Sequence, residues 1–282
     1  MIGIIDVGGG TRGIFGAGVL DRCMDEGIVF DLFIGVSAGS ANGAAYCASQ
    51  RGRNYRFYHD YAFRQEYMGF GQFRSAGSFI NMDYIYSVLS NSDGEDPLDY
   101  DRLQSSPTDF EIVATNALTG EPTYFNKRDM PRDRYDIIKA SCSVPVVNKP
   151  YPVNGVPYYD GGISDPVPIC RAFERGCDRV VLILTKPKDL VPDNRRNAFA
   201  AKLLEKTYPE AAKRTGTCNA VYTESVRQAI EWEKEGKVLI VAPDDIGNLK
   251  TLSKDAAVLD RLYKKGFVAA RTVKAFVEGA KK

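Results

Sequence analysis

Histidine is almost absent from this chain: His59 stands alone among 282 residues. A zinc site would have almost no imidazole to draw on. The six cysteines (Cys23, Cys47, Cys142, Cys170, Cys177 and Cys218) are scattered, with no Cys-x-x-Cys pair to replace it. Neither a metal ion nor a cofactor is therefore expected. An excess of charge is missing too. The 37 Lys+Arg nearly cancel the 36 Asp+Glu, and no long basic block is available to track a phosphate backbone, so nucleic acid is not an expected partner. No run of about 18 apolar residues occurs, so no segment is expected to span a membrane. The opening Met1-Ile2-Gly3-Ile4-Ile5-Asp6 has no basic flank and reaches an acid and glycines early, unlike a secretory signal. A cytoplasmic protein with reduced thiols, mostly packed in the core, is the expectation.

What the chain does contain is alternation. Short apolar runs at Ile2–Val7, Phe30–Val36, Phe110–Asn116, Val180–Thr185 and Val238–Ala242 read as strands, separated by helical patterns. That order predicts an α/β fold around a largely parallel, covered sheet, in a single domain over residues 1–282. A first helix is expected from about Gly13 to Glu26, stopping at Gly27. Ser253 is placed to cap a C-terminal helix carrying Val258, Leu259, Leu262, Phe267, Val273 and Phe276, with a break expected at Gly266. The segment from about 189 onward is helical and charged, which suits a cap or a solvated outer layer. Between Tyr55 and Tyr86 lie eleven of the 31 aromatic residues, interleaved with Arg56, Arg64 and Arg74 and preceded by Arg51 and Arg53. This insertion, about 54–90, suits an acyl-binding lid or a membrane-facing surface. The alternative is an insertion packing a small core of its own.

Two glycine-rich stretches carry the chemistry. Gly35-Val36-Ser37-Ala38-Gly39 follows a strand and runs into the small residues Ala41, Gly43, Ala44 and Ala45. A strand breaking into Gly-x-Ser-x-Gly before a small-residue helix describes a nucleophile elbow, with Gly35 and Gly39 leaving the Ser37 hydroxyl clear. Gly8-Gly9-Gly10-Thr11-Arg12-Gly13 follows the first strand and opens a helix, satisfying the Gly-x-Gly-x-x-Gly dinucleotide fingerprint. A nucleotide-binding oxidoreductase would need an acid at the end of the second strand to hold a ribose. That strand ends in Val36-Ser37, with Asp31 at its beginning. Unhindered backbone N–H groups at a helix N-terminus serve better as an oxyanion hole, with Arg12 shaping the loop or adding positive charge. A tight turn is the plainer alternative.

A serine nucleophile needs a base. His59 precedes every later acid, which is the wrong order for an α/β-hydrolase triad, and a surface or lid position suits it better. The other candidates are carboxylates in glycine-rich loops, foremost Asp160 in Tyr159-Asp160-Gly161-Gly162, followed by Asp165-Pro166-Val167-Pro168. Burial would raise the pKa of Asp160 and let it take a proton from Ser37. Taken alone, Asp-Gly is as readily a turn bonding its own backbone.

In their order, Gly-Gly-Gly-x-Arg-Gly (8–13), Gly-x-Ser-x-Gly (35–39) and Asp-Gly-Gly (160–162) resemble the three motifs of the patatin-like phospholipases. The stretch Ala140-Ser141-Cys142-Ser143-Val144-Pro145 is similar to the one preceding that family's third motif, and the likeness covers roughly residues 2–185. The resemblance implies a three-layer α/β/α sandwich and a Ser–Asp dyad without histidine. It makes Ser37 the nucleophile and Asp160 the base, and draws the oxyanion hole from the backbone of Gly9, Gly10 and Thr11. The implied activity is a serine hydrolase acting on carboxylic esters of lipids, with transient contact at a membrane surface or micelle and no oligomeric state assigned. A silent lipid-binding protein of the same fold is the alternative from another class.

Overall fold

The computed structural model describes residues 1–247, 249, 251, 252 and 254–279. Its strands are β1 (Ile2–Asp6), β2 (Leu32–Val36), β3 (Asp109–Asn116), β4 (Pro122–Asn126), β5 (Tyr151–Val153), β6 (Val156–Asp160), β7 (Arg179–Ile183) and β8 (Val238–Val241). They form one sheet in the order β5-β6-β3-β2-β1-β7-β8, with β4 also paired to β3. The run β3-β2-β1-β7-β8 is parallel, and β4, β5 and β6 are antiparallel additions. The five expected strands are therefore present, with ends shifted by at most two residues.

Successive side chains of a strand point to opposite faces, so apolar runs such as Ile4-Ile5 and Phe33-Ile34 must be covered on both sides. Ile4, Phe33, Phe110 and Ile183 pack into one core with Phe15 and Leu20 of α1 (Ile14–Asp25), Ala44 of α2 (Ala38–Cys47) and Leu259 of the C-terminal helix. Ile5, Ile34, Val113 and Leu182 pack into the other, beneath Ile169 and Ala172 and beneath Tyr222, Val226 and Ala229. The result is a three-layer α/β/α arrangement.

The remaining helices are α3 (Arg53–His59), α4 (Phe70–Ala76), α5 (Tyr100–Ser105), α6 (Asp136–Ser141), α7 (Ile169–Glu174), α8 (Arg195–Leu204), α9 (Pro209–Lys234), α10 (Ala256–Ala269) and α11 (Val273–Glu278). No described helix is long and apolar enough to cross a membrane. Ser253 lies outside the described residues. The cap of α10 is Asp255, whose carboxylate accepts from the Val258 N–H at 3.1 Å. No break occurs at Gly266. That residue sits where a side chain would strike the carbonyl of Phe15, so it lets α10 lie close on α1, and the helix changes type only at Ala270–Thr272. The charged segment is α8 and α9. The inner face of α9 belongs to the second core and its outer face carries pairs such as Arg227–Glu224.

The aromatic insertion builds a small core from Phe57, Tyr61, Tyr67, Met68, Ile85 and Leu89. Arg53 and Arg56 pair with the same buried Asp96, and Arg64 pairs with Glu95. Phe63, Phe70 and Phe73 face outward, Phe70 being 83% exposed.

Candidate active site

At the end of β2 the chain reverses in one residue. Ser37 adopts φ 55° and ψ −132°, and α2 begins at Ala38. A non-glycine residue in so sparse a region costs of order 1–3 kcal/mol, so its surroundings must hold it there. The Ser37 N–H donates to Ser141 Oγ at 2.9 Å, and its carbonyl accepts from both the N–H and the hydroxyl of Ser40. A side chain at Gly39 would collide with the Asp6 carbonyl, so only glycine lets the elbow lie against β1.

The glycine loop follows β1 directly beside this elbow. Gly8, Gly9 and Gly10 all have positive φ (63°, 120° and 62°), and a 3-10 turn spans Gly10–Gly13. Three successive residues in that conformation have a steric reason to be glycine. The loop is tied from below by Asp6, which accepts from the Gly8 N–H at 2.9 Å and from Asn42 Nδ2 at 2.8 Å. Asn42 also donates to the Gly13 carbonyl, and the Tyr58 hydroxyl donates to Asn42 Oδ1 at 3.1 Å. Burial raises the Asp6 pKa to about 6, against the opposing pull of the Asn42 and Gly8 bonds. Thr185 Oγ donates to the Gly8 carbonyl, and the Thr11 N–H donates to the Thr251 carbonyl at 2.9 Å. Of the loop's leading amides, those of Gly8 and Thr11 are thus committed, and those of Gly9 and Gly10 have no protein acceptor among the described residues. Arg12 lies against Gly9, its Nη1 donating to Thr251 Oγ at 3.2 Å.

Asp160 arrives through β3. One edge of β3 is occupied by β4 from Glu111 to Thr115. The other is shared end to end: β2 pairs as far as Val36 with Val113, and β6 takes over with Asp160 opposite Ala114. The elbow and the last residue of β6 therefore meet at consecutive positions along one strand. The Asp160 N–H donates to the Ser143 carbonyl at 2.8 Å, and Thr115 Oγ donates to the Asp160 carbonyl at 2.8 Å. Its carboxylate accepts from the Gly162 N–H at 2.8 Å, across the 3-10 turn Gly161–Ile163, and lies beside the Ser37 hydroxyl, which favours its charged form. The Asp-Gly turn bond and the serine contact thus coexist. Asp160 is 5% exposed, and burial lifts its pKa to about 6, with the Ser37 and Gly162 bonds pulling the other way.

Two chambers open on Ser37. One is mainly apolar and is lined by Ala38, Ala41, Tyr67, Met82, Ile85 and Tyr86, so the aromatic insertion forms much of its wall. The other holds the charged and polar groups Asp160, Arg12, Lys186 and Asn219 beside Gly8–Gly10.

Ser37, Asp160, Gly162 and the loop from Gly8 to Arg12 come together, with Gly35 and Gly39 packed beneath the elbow and Gly161 against Val113. His59 lines neither chamber. It stacks on Tyr55, ring centroids 4.8 Å apart, with Nδ1 2.8 Å from Asp60. Asp6, Asn42, Ser141 and Lys186 escape notice in the sequence. Ser141 lies inside a motif-like stretch, but no local pattern says that its hydroxyl will cap the Ser37 amide. Among the described residues no group of three or more His, Cys, Asp or Glu side chains could hold a metal ion.

A family model described as patatin-like phospholipase matches residues 7–173, and another, described as a domain of unknown function, matches residues 208–277. The chain is 32% identical over 194 residues to the uncharacterized protein YjjU of Escherichia coli (strain K12), an alignment covering 67% of this chain and 53% of that one. It thus spans about half the length of that curated relative. The crystal structure of VipD from Legionella pneumophila superposes with a TM-score of 0.48 at 14% identity, covering 99% of this chain and 66% of that one. The first model's match takes in more than half of the chain, including the glycine loop, the Ser37 elbow and Asp160, and the chain belongs to the patatin-like phospholipase family.

Proposed function

We propose that this chain is a lipid acyl hydrolase of the phospholipase A, lysophospholipase or lipid esterase type, working through Ser37 and Asp160. The observation that carries the reading is a buried carboxylate, lifted to about 6, that shares a chamber with the elbow serine and is close enough to its hydroxyl to be stabilised by it. Such a group is charged at neutral pH yet basic enough to take a proton as bond formation proceeds. Ser37 Oγ attacks the ester carbonyl carbon while its proton passes to Asp160. The oxyanion is met by the free N–H groups of Gly9 and Gly10, each such donor being worth about 3 kcal/mol in a dry site. Collapse of the tetrahedral intermediate expels the alcohol, which leaves with the proton held by Asp160, and the acyl group stays on Ser37. A water then gives its proton to Asp160 and attacks the acyl-enzyme. The second tetrahedral intermediate releases the fatty acid and returns Ser37 to its hydroxyl form.

The apolar chamber beside Ser37 suits the acyl chain. The outward-facing Phe63, Phe70 and Phe73 on the same insertion suit transient contact with a membrane surface or micelle. Ser37→Ala is expected to abolish both hydrolysis of a short-chain nitrophenyl ester and labelling by a fluorophosphonate, with the circular dichroism spectrum unchanged. Wild-type turnover by this variant would end the reading.

A further inference from the structure

The aromatic insertion ends in a rare piece of backbone. Tyr84–Val88 is a π-helical turn, in which the Leu89 N–H reaches back to the Tyr84 carbonyl at 2.9 Å. Such single turns occur frequently at functional sites. Asp83 and Ser87 are four residues apart on this turn, and both bond one buried ammonium. Lys139 of α6 is 4% exposed, and its Nζ donates to Asp83 Oδ1 and Ser87 Oγ at 2.8 Å each and to the Tyr151 hydroxyl at 2.9 Å. Asp136 lies 3.4 Å from the same ammonium, and the Tyr151 hydroxyl donates in turn to Asp83. Ile85 and Tyr86, between the two gripped residues, line the apolar chamber. Ahead of the turn the wall has a separate anchor, where Asn148 Nδ2 donates to the Ile80 carbonyl at 2.8 Å.

The other end of the tie is the stretch that holds both site residues. Ser143 Oγ donates to the Lys139 carbonyl at 2.8 Å, which stiffens the chain between them. Within that stretch Ser141 caps the Ser37 amide, Cys142 meets the Tyr86 hydroxyl at 3.5 Å, and the Ser143 carbonyl accepts from the Asp160 N–H. A buried ammonium is a weak source of stability, because apolar packing in the same place often serves as well. What it adds is direction, since charge-assisted bonds to Asp83 and Ser87 fix where the turn stands relative to α6. We propose that Lys139 is a positioning residue for acyl-chain selection, holding the π turn at a set distance from the Ser37 elbow and so fixing the shape of the apolar chamber. This inference rests on the acyl-hydrolase reading and makes chain-length preference depend on a residue that touches no substrate. A preformed wall lowers the cost of ordering a long chain against it, whereas a short chain gains little from the far wall.

The test compares nitrophenyl butanoate with nitrophenyl dodecanoate for wild type, Lys139→Met, Asp83→Ala and the double variant. Lys139→Met keeps the length of the side chain and loses its charge. It should raise KM for the dodecanoate by about tenfold, the worth of one charge-assisted hydrogen bond, while kcat for both esters and KM for the butanoate hold. Asp83 is exposed, so Asp83→Ala leaves the core intact and decides the matter if Lys139→Met does not fold. It should move the dodecanoate KM in the same direction by a smaller factor. The double variant should shift no further than Lys139→Met alone, because both changes break one tie. Equal losses on the two esters, or an unaltered ratio between them, with Ser37 still labelled by a fluorophosphonate, overturn the role of Lys139 and leave the hydrolase reading standing. Cleavage of neither ester by wild type, with Ser37 unlabelled, overturns the hydrolase reading and this inference with it.

Discussion

Replacing Asp160 by Asn should abolish turnover and at the same time make the protein more stable, by an amount that depends on pH in one direction only. The wild-type carboxylate is buried, and its pKa is raised from 3.8 to about 6. That difference corresponds to about 3 kcal/mol by which the folded state disfavours the charged form relative to the unfolded chain. The sign follows from proton uptake. Between the two pKa values the folded state binds the extra proton, so the Asp160 contribution to stability is fully present below about pH 4 and is lost as pH rises through about 6. Asparagine carries no charge at any pH, can still accept from the Gly162 N–H, and can turn its amide towards Ser37 Oγ. The variant should therefore melt close to wild type at about pH 4 and above it at about pH 8, by roughly 5 °C for a chain of this size. Asp6 is raised to about 6 as well, but it titrates in both proteins, so the difference between the two curves isolates Asp160. Thermal melts at matched scan rates across that range, alongside ester hydrolysis, are the measurements. A variant that keeps wild-type turnover refutes Asp160 as the base. One that gains no stability at high pH relative to low pH refutes the charged, desolvated carboxylate on which the mechanism rests.

The pH profile of the wild-type enzyme should follow the same group. The kcat/KM for a soluble short-chain ester should rise about tenfold per unit below pH 6 and level off above it, and a flat profile across that range would contradict a carboxylate base. Ser141→Ala removes the acceptor for the strained Ser37 amide. It should cost about 1–3 kcal/mol in urea unfolding and lower kcat, and unchanged values would mean that the elbow holds its conformation unaided. Met82→Trp narrows the apolar chamber, so kcat/KM should fall by about tenfold for long-chain esters relative to short ones. An unaltered chain-length profile would place the acyl group elsewhere.

Much of the fold and of the candidate site is legible without coordinates, because the features concerned are local. Apolar runs buried on both faces mark β1, β2, β3, β7 and β8, and a helix must follow a strand that ends in Gly-x-Ser-x-Gly. The three positive φ angles of Gly8–Gly10 likewise call for a residue without a side chain. The antiparallel strands β4, β5 and β6 escape because their residues are mostly half-exposed and interrupted by proline, leaving no clean period to read. Gly266 misleads for a related reason: a glycine that ends a helix and one that lets two helices touch look the same in one dimension.

By itself, then, the sequence determined the five strands of the parallel run, where the chain must turn sharply, and which serine and aspartate sit in turns able to carry chemistry. Tertiary structure alone decided that these two residues meet, because it is the shared edge of β3 that places β6 where β2 stops. It also decided which loop amides have no acceptor among the described residues and how far burial lifts Asp160 and Asp6. Those properties depend on what surrounds a group in space, and neighbours brought together by folding leave no spacing in the sequence from which to read them.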